Sequence, residues 1–233
     1  MFKNFFKPSC VQCLQPSHLG YNLCMTCQLA LPWLDQSSLC QRCALPLAES
    51  TDNCCVRCIQ NPPVFDRAYA LLSYDKTTAH FLHQYKFQHQ LHYGKILAAL
   101  LGQAAIQLEH SFVATEAIIP VPLHYWRQVK RGFNQCVQLA KPLAKTVTLP
   151  LDTRYVLKCR RTKAQHTLSG VQREANVTNV FKVGALRSYQ HVTLIDDVMT
   201  TGETLNALAR CLKNTYPSLT IQVVCLLRAT VKL

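Results

Sequence analysis

The residues that could do chemistry fall in two places. The first is His191–Thr204, HVTLIDDVMTTGET, where an apolar run meets Asp196 and Asp197 and then a turn carrying Thr200, Thr201 and Gly202. Backbone amides at such a turn, and at the helix behind it, are unpaired and carry the positive end of the helix dipole. With hydroxyl donors beside them they suit a phosphate. Two adjacent carboxylates could accept hydrogen bonds from a ribose diol. The segment is not a Walker loop, because the Gly-Lys-Ser/Thr ending is missing. A purely structural account, an Asp pair ending a strand and a Thr capping a helix, leaves the rest of the string to coincidence.

The second place is the first quarter of the chain. Nine of the 13 cysteines lie in residues 10–58, eight of them as CxxC pairs: Cys10/Cys13, Cys24/Cys27, Cys40/Cys43 and Cys55/Cys58. A two-residue gap lets one tight turn aim two thiolates at a single ion, and two such knuckles complete the tetrahedral sulfur cage that zinc prefers. A disulfide framework is the rival, but no secretion signal places the chain in an oxidising compartment. The pairs also repeat. Cys10 and Cys13 recur 30 positions on as Cys40 and Cys43, and Cys24 and Cys27 recur 31 positions on as Cys55 and Cys58. One site per copy follows naturally, although an interleaved set, Cys10/Cys13/Cys40/Cys43 and Cys24/Cys27/Cys55/Cys58, satisfies the same spacing. Cys54 is the odd thiol. A segment of about 60 residues builds little core, so metal is expected to supply much of its folding energy.

Composition bounds what surrounds these groups. Hydrophobic residues make up 49% of the 233, enough for a real core, so wholesale disorder is excluded. No apolar run reaches the ~18 residues that a membrane-spanning helix needs. The first residues lack the apolar stretch of a signal peptide, so a soluble, cytoplasmic protein is expected. The net charge of +13 is unevenly placed: residues 127–187 hold 13 Lys and Arg against Asp152 and Glu174, whereas residues 1–64 are nearly neutral. Such a stretch is either a solvated face or a surface for polyanions, and the contrast favours polyanions.

From Phe65 onward strands alternate with helices. Strands are expected at Ala68–Tyr74, Glu116–Val121, Arg154–Leu157, Asn179–Val183, Val192–Ile195 and Thr220–Leu227. Helices are expected at Thr77–Lys86, Tyr93–His110, Phe133–Val147 and Gly202–Asn214. This alternation implies an α/β domain, a mainly parallel sheet with helices on both faces, with ligands at the carboxyl ends of the strands. The expected division is a CxxC module over 1–64 and an α/β domain over 65–233. Four histidines, His80, His83, His89 and His92, flank Tyr85-Lys86-Phe87 and are expected on exposed helix and turn positions rather than at a second metal.

On these residues the chain resembles a known family. DDVMTTGET resembles the phosphoribosyl-pyrophosphate (PRPP) signature of type I phosphoribosyltransferases. Pro120–Gln135, PVPLHYWRQVKRGFNQ, resembles the ComF family of competence proteins, including its GntX-like members. Thr162, Gln165, Leu168, Arg173, Asn176 and Phe181 and the four CxxC pairs are further landmarks. The resemblance implies that Asp196 and Asp197 hold the ribose hydroxyls and are the catalytic candidates. Val198 and Met199 lead into a 5-phosphate cradle of Thr200, Thr201, Gly202, Glu203 and Thr204. Glu203 departs from the small residue common there. The loop after the Glu116–Val121 strand would face the pyrophosphate with Arg127, Arg131 and the Gly132 backbone, and Lys86 falls where the family often has a lysine. Residues 158–176 would form a mobile hood. PRPP implies Mg²⁺ as its companion.

Two functions follow. One is handling of single-stranded DNA in natural transformation, with PRPP as substrate or effector and proteins of the DNA-uptake machinery as partners. Lys158, Arg160, Arg161 and Lys163 are then DNA candidates, and Tyr125, Trp126 and Phe133 offer stacking surfaces if they are not core. The other is a phosphoribosyltransferase acting on a nucleobase or related acceptor.

Overall fold

The structure is a computed structural model and describes residues 8–47, 53–159, 180–184 and 189–230. The two copies of the cysteine repeat fold alike. Each first knuckle closes a tight turn, Leu14 N–H to Cys10 O (3.0 Å) and Ala44 N–H to Cys40 O (2.7 Å), with Leu14 and Ala44 left-handed at φ 63° and 52°. A left-handed non-glycine residue costs roughly 1–2 kcal/mol, so both turns need something that over-determines them. Each second knuckle opens a short helix, α1 (Met25–Leu29) after Cys24 and α2 (Val56–Gln60) after Cys55. Matching bonds join the knuckles, Val11 N–H to Asn22 O and Gln41 N–H to Asn53 O, both 2.9 Å.

The chain between the copies then runs along the sheet. Strand β1 (Arg67–Ser73) is an edge strand, and residues 32–41 cover its outer side. Leu34 N–H donates to Leu71 O (2.9 Å), Ser73 N–H to Pro32 O (2.8 Å), Ala68 N–H to Gln41 O (3.0 Å) and the Gln36 amide to Ala70 O (2.7 Å).

The central sheet has four parallel strands in the order β1-β6-β5-β2, where β2 is Ala117–Pro120, β5 is His191–Met199 and β6 is Thr220–Arg228. Alternate side chains feed two cores, as a sheet covered on both faces requires. Leu71, Ile118, Ile195, Val224 and Leu226 pack with helices α3 (Lys76–Phe87), α4 (Leu91–Gln107) and α7 (Gln135–Thr146). Ala70, Ile119, Leu194, Val223 and Cys225 face the other way, toward α8 (Glu203–Thr215), which buries Leu205, Leu208, Ala209 and Leu212 at helical spacing. A short helix, α5 (Glu109–Phe112), follows α4. No helix of the described residues is long and apolar enough to cross a membrane.

Three expectations are corrected. The strands read at 154–157 and 179–183 do not join the sheet. They are β3 (Val156–Lys158) and β4 (Phe181–Val183), a separate antiparallel pair, because they lack the apolar length a central parallel strand needs. The strand read as Val192–Ile195 runs on to Met199, since pairing with β6 continues through Asp196↔Cys225 and Met199↔Arg228. The stretch read as a loop after β2 contains a helix, α6 (Tyr125–Arg131), capped by the His124 ring and closed by left-handed Gly132 at φ 81°. Its seven residues bury none of their side chains, so no apolar periodicity announces it.

Candidate functional site

Each four-cysteine group gathers the pairs of one repeat copy: Cys10, Cys13, Cys24 and Cys27 in one, Cys40, Cys43, Cys55 and Cys58 in the other, with all sulfurs of a group within 4.8 Å. This is the sequential arrangement, not the interleaved one. The contacts Cys13–Cys24 (3.6 Å) and Cys43–Cys55 (3.7 Å) match the ~3.8 Å between sulfurs on a tetrahedral ion with bonds of about 2.3 Å. Burial opposes ionisation of Cys10 and Cys40, but backbone amides aimed at their sulfurs outweigh it and draw them down to about 6 and about 7. One amide-stabilised thiolate in each group, with three more sulfurs at this spacing, can hold a metal ion and suits structural zinc. Cys54 stands outside the group, and the four histidines form no metal-binding group among the described residues.

The second centre is where β5 meets its loop. Asp196 and Asp197 are 9% and 5% exposed and lie inside the strand rather than after it. Lys86, in the last turn of α3, reaches Asp197 Oδ2 at 2.7 Å. It arrives there because Asp75 and Thr78 form a capping box that fixes where α3 begins. Cys136 donates its thiol to Asp196 Oδ1 at 3.4 Å and has its own ionisation pushed well up by burial. Burial, with Asp197 beside it, pushes Asp196 up to about 7, although Lys86 pulls the other way.

Cations line the approach. Arg131 is held by Gln135 and feels the charge of Asp197, and burial is the main cause that lowers its ionisation. Lys158, over the Phe181 ring at 5.4 Å, is also lowered, first by burial and then by Arg127, while Asp196 opposes. Lys86, Arg131 and Lys158 thus surround two buried carboxylates, with exposed Arg127 beside the last two, an arrangement that can take a polyanion carrying hydroxyls.

The turn after Met199 completes the site. Gly202 has φ 80° and precedes α8. A Cβ there would meet Met199 Sδ at 3.6 Å, an ordinary contact, so the left-handed backbone rather than lack of room demands glycine. Thr200, Glu203 and Thr204 are exposed and Thr201 is half-buried around the open start of α8. Val198 and Met199 send their side chains into the two cores and offer the turn only backbone. Arg160, Arg161 and Lys163, the landmarks Thr162, Gln165, Leu168, Arg173 and Asn176, and most of the hood lie outside the described residues.

Three groups at the site belong to no motif that the sequence analysis singled out. Cys136 sits two residues past Asn134, whose side chain caps α7 and bonds to Val121 O, so the cap places the thiol against Asp196. Tyr85 is 2% exposed, its ring lies 5.1 Å from that of Phe133, and its hydroxyl is buried with no hydrogen-bond partner among the described residues. Its seat depends on Gly94, where a Cβ would fall 2.3 Å from the ring. Arg228, 2% exposed at the end of β6, binds the carbonyls of the turn. A lone cation closing an apolar strand was the one available hint.

Tyr125 and Trp126 are 67% and 61% exposed and are not core, whereas Phe133 is partly buried against α3.

Residues 134–232 match the phosphoribosyl transferase domain family. The chain is 32% identical over 216 residues to competence protein F of Haemophilus influenzae, covering 90% of this chain and 93% of that one. It is 33% identical over 222 residues to DNA utilization protein YhgH of Salmonella typhimurium, covering 94% and 96%. Competence protein ComFC of Streptococcus pneumoniae is 24% identical over 193 residues, covering 82% and 81%.

Proposed function

Because the chain belongs to the competence protein F family and carries its phosphoribosyl transferase domain, we propose that it binds PRPP with Mg²⁺ and handles incoming single-stranded DNA in the cytoplasm during natural transformation. The observation that carries the ligand reading is the buried Asp196–Asp197 pair, flanked by Lys86, Arg131 and Lys158 and opening onto the Thr200–Thr204 turn. The carboxylates accept from the ribose hydroxyls. The turn takes the 5-phosphate on free amides and hydroxyls, and Arg127, Arg131 and the Gly132 backbone face the pyrophosphate. Asp196 and Asp197 are the carboxylates that would help hold Mg²⁺ beside the ligand, where it would neutralise pyrophosphate charge. Tyr85 supplies a hydroxyl with no hydrogen-bond partner among the described residues. Zinc in the two four-cysteine groups holds residues 1–64 as a module against the domain over 65–233.

The DNA reading is supported by α6. Arg131 is partly buried and feels the charge of Asp197, and Arg127 lies in reach of Arg131 and Lys158, while Tyr125, Trp126 and Val129 stay exposed beside Lys130. No acidic residue occurs between Glu116 and Asp152, so bases could stack on this helix with phosphates on its cations. Proteins of the DNA-uptake machinery are the expected partners.

Calorimetry with PRPP and Mg²⁺ should show saturable binding that Asp196→Asn with Asp197→Asn abolishes while the fold persists. Equal binding by wild type and the double variant would remove the ribose assignment. Pyrophosphate release that occurs only with single-stranded DNA supports the DNA reading. Release with a nucleobase and without DNA moves the conclusion to a small-molecule transferase.

A further inference from the structure

We propose that the second four-cysteine site sets the conformation of the phosphate-binding turn through Arg228, which makes Arg228 a positioning residue and metal at that site a condition for tight PRPP binding. The proposal rests on the reading of Thr200–Thr204 as the phosphate seat.

The connection is direct. Cys43 is one of the four sulfurs of the second group. Its carbonyl accepts Arg228 Nε at 2.9 Å, and Arg228 Nη1 donates to Met199 O at 2.9 Å, Thr200 O at 2.5 Å and Ala229 O at 2.6 Å. A second arginine, Arg57, lies on α2 between Cys55 and Cys58 and donates to Thr201 O at 3.4 Å. Three successive carbonyls entering and forming the turn are therefore held by two arginines, one bonded to a cage residue and one between two of them. Cys43, Arg57, Cys58, Thr201, Gly202 and Arg228 line one small cleft.

The chemistry of that grip matters. In a trans peptide the C=O and the following N–H point in opposite directions. Pulling the Thr200 and Thr201 carbonyls toward the cysteine module turns the amides of Thr201 and Gly202 away from it, and neither amide donates to another described residue. The module thereby occupies the acceptors of the turn and leaves its donors for an anion. Arginine is needed because its planar fork reaches several carbonyls at once, which a lysine ammonium on a flexible stem does not hold in register. The first cage has no such link. Its side-chain hydrogen bonds to the α/β domain go to Gln103 of α4, which accepts from Gln28 at 2.8 Å and donates to the Tyr21 hydroxyl at 3.0 Å, and none of residues 8–31 bonds the turn.

The test uses the full chain with three variants, measuring zinc content, hydrogen exchange of residues 199–204 and PRPP·Mg²⁺ affinity. Cys55→Ser with Cys58→Ser should lose one zinc, speed exchange of the turn and weaken PRPP roughly tenfold or more. Cys24→Ser with Cys27→Ser should lose the other zinc and leave the exchange of that turn as in wild type. Arg228→Lys should keep both zinc ions yet reproduce the defects of the second-site variant. If the second-site variant fails to fold, Arg228→Lys decides alone. A turn that exchanges at the wild-type rate in either Arg228→Lys or the second-site variant overturns the proposal. If wild type binds no PRPP, the reading of the site fails, and the exchange data still decide whether cage and turn are coupled.

Discussion

At the scale of single residues, the site stores an unfavourable ionisation. Asp196 is pushed up to about 7 by burial and by Asp197 beside it, from about 3.9 in an unfolded chain. The folded protein therefore holds a proton that the unfolded chain releases between those values. The contribution of Asp196 to stability is fully present below about pH 4 and is lost as pH rises toward about 7, with a slope of at most about 1.4 kcal/mol per pH unit. Asp196→Asn removes this contribution, so thermal melting between pH 5 and 8 should fall more steeply with pH in wild type than in the variant. Parallel curves would mean that Asp196 titrates as an ordinary carboxyl. PRPP binding, which uses the ionised carboxylate, should strengthen over the same interval. The Asp pair and the cysteines are legible in sequence because each set is contiguous or evenly spaced. Lys86 was reached only through the family pattern, and Tyr85 and Arg228 were missed as site residues. All three lie far along the chain from Asp197, and only the packing of α3 and β6 on β5 brings them there.

Elements carry the second layer. Helix α6 divides its work, with Arg131 partly buried and in reach of the Asp197 charge and Tyr125, Trp126 and Val129 in solvent. Base stacking on an aromatic ring is worth about 1–3 kcal/mol per base and involves no counterion release, whereas each phosphate contact on a single strand adds about 0.7 to the salt slope. Tyr125→Ala with Trp126→Ala should therefore weaken single-stranded DNA binding at every salt concentration and leave the slope unchanged. Lys130→Ala should flatten the slope by about 0.7. Filter binding from low to moderate salt separates the two. Unchanged affinity in the aromatic variant would place the strand elsewhere. The long helices and central strands were legible because their apolar periodicity is their reason for folding. Helix α6 was not, because it buries none of its residues and is fixed by a histidine cap and a left-handed glycine. The β3–β4 pair was read as two strands, but its separation from the sheet depends on partners that short segments do not declare.

Across the whole molecule, hydrogen bonds cross the line at residue 64/65. Residues 32–41 satisfy Ala68, Ala70, Leu71 and Ser73 along the outer side of β1. A chain beginning at residue 65 keeps every group assigned to PRPP but leaves that edge open. Expressed alone, it should be recovered as oligomers or in inclusion bodies, whereas the full chain runs as a discrete species in size-exclusion chromatography. A monodisperse 65–233 fragment would show that the edge needs no cover. An unpaired, largely apolar edge strand is a template for the next copy of the chain. The segment between the two cysteine cages thus acts as a fifth, irregular strand and an intramolecular chaperone for the sheet. A lineage that shed its cysteines would have to invent another guard for β1 before it could keep the pocket.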